Sequence, residues 1–225
     1  AAVLVREPPQ PASAAPTPPL PIRRAYGTLL GDADFLCFFA IIGIVTGAFY
    51  AFASGAPYIG QRFLGLEPAE YGAWFAPVAL GNTLGAFLAG KLATTVAPVR
   101  LLSIGSAITV LGSGLAVALF LAGYRTPLFL FGPMSLGNIG TGLIVPSAII
   151  AGVSAVPGIA GTSAGLVGLS QFGSAALFSF IAGALVQRSG SALPLLSVIL
   201  GMTILIAVLS FRISGRRERG SEAAD

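Results

Sequence analysis

Between residues 126 and 187 the chain carries no charged residue. Four further charge-free runs, 35–61, 71–90, 101–124 and 189–211, fill most of the remainder. A helix that spans a bilayer needs about 20 mostly apolar residues, and an ionised group within the hydrocarbon is costly. No soluble domain needs this pattern. Only 9% of residues are charged, against roughly 25% in soluble domains, and mean hydropathy is +0.90. The runs are also too long for the strands of about ten residues in an outer-membrane barrel. The expected fold class is all-α: a polytopic membrane protein with six transmembrane helices.

The longest run divides at Pro157-Gly158, a strong helix breaker. Spans are then expected at about 35–59, 70–94, 101–123, 126–155, 159–186 and 192–213, within a bundle covering 31–213. Ahead of it lies a Pro/Ala-rich tract, 1–21, with little apolar surface to bury. Together with an amphipathic segment over 22–30 it makes a cytoplasmic linker, 1–30. Residues 214–225 form a cytoplasmic tail.

Basic residues give the orientation. Arg6, Arg23, Arg24, Lys91, Arg100, Arg212, Arg216, Arg217 and Arg219 fall on one side of this layout, and Arg62, Arg125 and Arg188 on the other. The positive-inside rule places both termini in the cytoplasm, which requires an even number of spans. The net charge of +4 is therefore a topology signal and not a nucleic-acid footprint.

Several reaction classes find no support. There is no His and a single Cys, Cys37, so a disulfide within the chain or a thiolate cluster on a metal is excluded. No phosphate loop or catalytic carboxylate pair is present, and Ser/Thr hydroxyls without a buried base make a poor hydrolase. No enzyme activity and no cofactor are expected. Nothing ionisable lies in the expected hydrocarbon core, so these spans carry no side-chain proton relay of their own.

Polar groups at mid-membrane depth are few: Tyr50, Ser54, Asn82, Asn138, Thr141 and Gln171. An amide in hydrocarbon needs a partner or a wet cavity. Asn82, Asn138 and Gln171 are accordingly cavity candidates, the alternative for each being an interhelical hydrogen bond. Small residues form stripes. Gly161, Gly165, Gly168, Phe172, Ala176, Ser179 and Gly183 recur at steps of three and four, one face of a helix. Six of these seven are small, which predicts close helix packing there and at Gly81 and Gly85. Gly132, Gly137, Gly140 and Gly142 lie around Pro133 and Pro146, and two readings stay open for these glycines: tight helix packing, and bending and sliding in a conformational cycle.

These residues carry a resemblance. The segment 51–92 resembles the seventh and eighth helices of drug-efflux members of the major facilitator superfamily, and among them the bacterial Bcr/CflA subgroup of drug:proton antiporters. The matching features are Ser54, Pro57, Tyr58, Gln61 and Leu64-Gly65-Leu66, followed by Gly81, Gly85, Gly90 and Lys91. A second block, 158–173, is similar to the signature opening the family's eleventh helix, through Ala160, Gly161, Thr162, Ala164, Gly168 and Gln171. Val145-Pro146-Ser147-Ala148 resembles part of the tenth. The likeness covers residues 30 to 212. Of the family's loop signature, Gly90-Lys91 and Arg100 remain in the loop between the second and third spans.

The family has twelve helices in two six-helix halves. The resemblance therefore implies the C-terminal half, as a fragment or a separately encoded half. Its partners would be the missing N-terminal half, the lipid bilayer, a small-molecule substrate and the proton, with no nucleic acid. It implies efflux of a drug-like solute by alternating access in a bacterial inner membrane. The coupling carboxylates would lie largely in the other half. Tyr50, Ser54, Asn82, Asn138 and Gln171 would line the cavity, with Phe49, Phe52 and Phe172 as apolar contacts. Gly81, Gly85, Pro146, Gly161, Gly165 and Gly168 would serve packing and gating, and Lys91 and Arg100 the cytoplasmic loop. Two alternatives stay open: transport of a metabolite or nucleoside, and a membrane partner that transports nothing.

Overall fold

Residue chemistry at the helix ends sets the element boundaries. Asp32 accepts a hydrogen bond from the Phe35 amide (2.7 Å) and starts α2, Ala33–Leu64. Gly65, at φ 67°, ends it in the left-handed conformation that glycine adopts without penalty, and the Leu66 amide closes back on the Gly60 carbonyl (2.9 Å). Glu67 and Glu70 form a reciprocal capping box at the head of α3, Pro68–Leu92. Proline in the first turn, where no amide proton is needed, opens α3, α4 (Pro98–Leu121) and α5 (Pro127–Val153). Then come α6, Ala160–Ser189, and α7, Leu193–Glu222. A short α1, Ile22–Gly31, precedes them all.

The structure is a computed structural model and describes residues 22–154, 159–189 and 191–222, with side chains for 23–154, 159–189 and 191–216. The expected tract 1–21 and the breaker Pro157-Gly158 lie outside the described residues. Among the described residues, α2 to α7 are six helices long and apolar enough to cross a membrane. The chain is an all-helical multi-pass membrane protein. Helix α7 continues past 213 to Glu222, into the expected cytoplasmic tail, and α2 runs five residues beyond the expected end of the first span. Arg and Glu are good helix formers, and Gly215 alone does not halt a helix already anchored by Ile206 and Ile213 in the core.

Packing follows an exchange rule. The most extensive contacts are α4 on α5, α2 on α6 and α3 on α5, followed by α4 on α7, and by α2 on α5 and on α7. Swapping α2 with α5, α3 with α6 and α4 with α7 maps each of these pairs onto itself or onto another of them. The chain is thus two three-helix units with one packing scheme. Three is odd, so the second unit enters the bilayer from the side opposite to the first, which makes an inverted repeat. The α2–α5 crossing is the centre, and α4 and α7 back it. The flanking helices α3 and α6 are the least buried spans, each 22% buried over its most apolar window.

Two buried clusters mark the two ends of the bundle. One gathers Ala25 and Leu29 of α1, Phe35 of α2, Leu102 of α4, Ala148 of α5 and Ile213 of α7. The other gathers Ile59 of α2, Phe131 of α5, Val186 of α6 and Leu195 of α7. Arg23, Arg24, Lys91, Arg100, Arg212 and Arg216 therefore lie at one end, and Arg62, Arg125 and Arg188 at the other. In α1 the residues Ala25 and Leu29, four apart, face inward while both arginines stay exposed. That is the amphipathic pattern expected for this segment.

Candidate functional site

Around α5 the flanking helices α3 and α4 approach closely because glycines permit it. A Cβ at Gly112 of α4 would meet the Gly137 amide nitrogen and the Pro133 carbonyl of α5, and one at Gly105 would stand 2.8 Å from the Gly140 carbonyl. Gly81 and Gly85 lie against the α5 backbone at Ser135 and Ile139. On the α2–α6 contact the glycines belong to α2: Gly43 faces Ser170 and Ser174, and Gly47 faces Phe178. Gly55 faces Leu195 of α7. Gly43, Gly47 and Gly55, four and eight residues apart, share one face of α2.

The α6 stripe does not pack within the chain, contrary to expectation. A Cβ at Gly161, Gly165, Gly168 or Gly183 would meet nothing within 4 Å, and Phe172 is 74% exposed. The face that α6 buries carries Ser163, Leu166, Val167, Ser170, Ala182 and Val186 instead. The physical reason is that larger side chains on α6 fill the space opened by the α2 glycines. The small-residue face is left turned outward.

Behind the crossing lies a small cavity bounded by α2, α4, α5 and α7. It is lined by Ala48, Phe49, Phe52, Thr109, Ser113, Met134, Gly137, Asn138, Thr141, Ile199 and Thr203. Three expected site residues, Phe49, Phe52 and Asn138, meet here. Phe52 is 2% exposed, lies parallel to Phe75 and meets Phe131 edge-on, both at 6.2 Å. Its ring belongs to an aromatic core with Tyr71 and Trp74 around Phe131, so its bulk supports the crossing. Asn138 is buried, and its amide donates to the Met134 carbonyl (2.9 Å).

The polar wall consists mostly of hydroxyls that the sequence did not single out. Thr109 donates to the carbonyls of Gly105 (2.9 Å) or Gly137 (3.2 Å). Ser113 meets Thr203 across the α4–α7 contact at 2.8 Å. Ser103 and Ser214 repeat that pairing at 2.9 Å nearer the helix ends. Ser and Thr are common in spanning helices and usually bond to their own backbone, so composition gave no cue to this seam.

The other expected residues lie elsewhere. Tyr50 is 41% exposed beside Phe49, with ring centroids 5.4 Å apart. Ser54, one turn on, is exposed, and Asn82 and Gln171 are half-buried. None of these four lines the small cavity. Pro146 sits within α5 beside a small apolar pocket that also contains Ala89, Gly90 and Pro98. Lys91 ends α3 with its ammonium 5.9 Å from the Phe87 ring, and Arg100 opens α4, exposed.

A far larger groove, about 720 Å³, runs between α3 and α5 along Leu80, Leu84, Phe87 and Leu136. Its two hydroxyls, Thr83 and Ser135, are bonded to the carbonyls of Ala79 and Phe131 of their own helices. It offers apolar surface and little else, which suits an acyl chain or another helix better than a polar solute.

Comparison with known proteins adds one relative. The chain is 32% identical over 75 residues to the "Uncharacterized MFS-type transporter YfiU" of Bacillus subtilis (strain 168). The match spans 33% of this chain and only 14% of that protein's length. No family model matches.

Proposed function

We propose that the chain is a transporter module of the major facilitator type: the C-terminal six-helix half of a twelve-helix protein that expels small drug-like solutes in exchange for protons. The observation that carries this reading is the inverted three-plus-three packing, which is how each half of such transporters is built. The relative named as an MFS-type transporter agrees with it. So do the outward faces of α3 and α6, with Leu80, Leu84, Phe87, Leu169, Phe172 and Phe180 all exposed. In a bilayer such faces meet lipid or a second bundle.

In this proposal the solute-facing wall comprises Tyr50, Ser54 and Phe49 on α2, Asn82 on α3, and Gln171 and Phe172 on α6, with Asn138 deeper. The glycine face of α6, Gly161 to Gly183, lies against the other half and slides on it during alternating access. The proton-binding carboxylate belongs to that half, because the acidic residues of these spans stand in first turns, Asp34 and Glu70. The end bearing Arg23, Arg24, Lys91, Arg100, Arg212 and Arg216 faces the cytoplasm of a bacterial inner membrane.

Inside-out vesicles from cells expressing the complete reading frame test this, with an imposed pH gradient read by a fluorescent weak base. Addition of a transported cationic amphiphile should partly collapse the gradient. Solute movement with no effect on the gradient would retain a transporter and remove antiport. Absence of movement for any of a panel of unrelated solutes would favour the partner that transports nothing.

A further inference from the structure

The cavity behind the α2–α5 crossing has a hydrogen-bonding wall that its own side chains leave incomplete. It offers about 30 Å³ to the centres of water-sized molecules, and roughly 10–15 Å³ of such space admits one water. The hydroxyl protons on its wall all have acceptors. Thr109 serves Gly105 or Gly137, and Ser113 serves the Thr109 carbonyl (2.9 Å) or Thr203. Thr203 serves the Leu200 carbonyl (2.9 Å), and Thr141 the Gly137 carbonyl (3.5 Å). Asn138 gives one amide proton to the Met134 carbonyl. Its carbonyl oxygen, Oδ1, is fully buried, and no group among the described residues donates to it. The side chain as a whole is only 7% exposed. The wall thus leaves one buried amide oxygen without a donor among hydroxyls already committed to carbonyls.

We propose that this cavity is a binding site for one water molecule, which donates to Asn138 Oδ1 and, with its second proton, to a hydroxyl oxygen of the same wall. A buried amide oxygen without a donor is costly in a medium of low dielectric, and an ordered water removes that cost. The remaining wall, Ala48, Phe49, Phe52 and Ile199, can supply no proton. The oxygen acceptors of this wall would also suit a small monovalent cation. No carboxylate lines this one, however, and an ion without a counter-charge at this depth is far harder to accommodate than neutral water. The site stands on this chemistry alone and does not depend on the transport reading.

The two methionines provide the test. Met134 lines the cavity and Met202 does not, and both are buried, at 4% and 8% exposure. Brief X-ray irradiation generates hydroxyl radicals from bound water, which oxidise the nearest side chains. With the full chain in lipid nanodiscs, Met134 should oxidise several-fold faster than Met202, although it is the less exposed of the two. Asn138→Leu should bring the Met134 rate down to that of Met202. Equal rates in the native chain would overturn the proposal, and that comparison suffices if the variant does not fold. A folded Asn138→Leu variant with undiminished Met134 oxidation would also overturn it. A Met134 rate that changed when sodium and potassium were replaced by choline would assign the site to a cation.

Discussion

Ser113 on α4 and Thr203 on α7 stand ninety residues apart in sequence and share a 2.8 Å hydroxyl contact in the interior of the bundle. Together with Ser103 and Ser214 they form a polar seam between the two helices that back the crossing. Such bonds in lipid couple helices by about 0.6 kcal/mol on average, at most ~1.7. Ser113→Ala and Thr203→Val should each destabilise the chain modestly. The double variant should fall short of the sum of the two by about 0.6 kcal/mol. A denaturation cycle in mixed micelles measures the shortfall, and strict additivity would mean that the contact contributes nothing.

Glycine positions should divide sharply in their tolerance of bulk. Gly112→Leu drives a side chain into the α5 backbone, and forced overpacking costs roughly 1–3 kcal/mol or more. Gly165→Leu meets open space. The yield of folded chain in detergent should collapse for the first and hold for the second. If the outward α6 face does seat a second bundle, Gly165→Leu in the complete transporter should still lower transport. Loss of the isolated fold in Gly165→Leu would contradict the outward placement of this face.

Topology is testable by accessibility. In a Cys37→Ala background, cysteines at Glu67 and Ser189 should react with an impermeant label from one side of the membrane. A cysteine at Thr95 should react from the other, since it lies in the connection between α3 and α4. All three positions are exposed in the structure. Labelling of Glu67 and Thr95 from the same face would rule out a membrane crossing by α3.

Gln171 separates solute contact from structural support. It is half-buried on α6, away from the small cavity, and it adjoins the exposed Phe172. Gln171→Ala should leave thermal stability in detergent close to that of the parent. In the complete transporter it should change relative activity across unrelated solutes. A fall in stability with an unchanged solute profile would make Gln171 a structural residue.

The number and kind of helices were determined by the sequence alone. Charge-free runs of spanning length admit few other solutions, because lipid forbids unsatisfied backbone and ionised groups. The caps Asp32 and Glu67 and the prolines Pro68, Pro98 and Pro127 fix where four of these helices begin. Tertiary structure decided which face of each helix is buried. Inside a membrane span both faces are apolar, so no polar stripe tells core from surface. The glycines of α6 therefore looked like the packing face, while those of α2 make the close contact. Helix pairing also decided that Phe52 is core, that Asn138 shares a cavity with hydroxyls of α4 and α7, and that Tyr50 and Gln171 stay outside that cavity. These relations join residues far apart in the chain, and they arise only when α2 crosses α5 and α4 lies against α7.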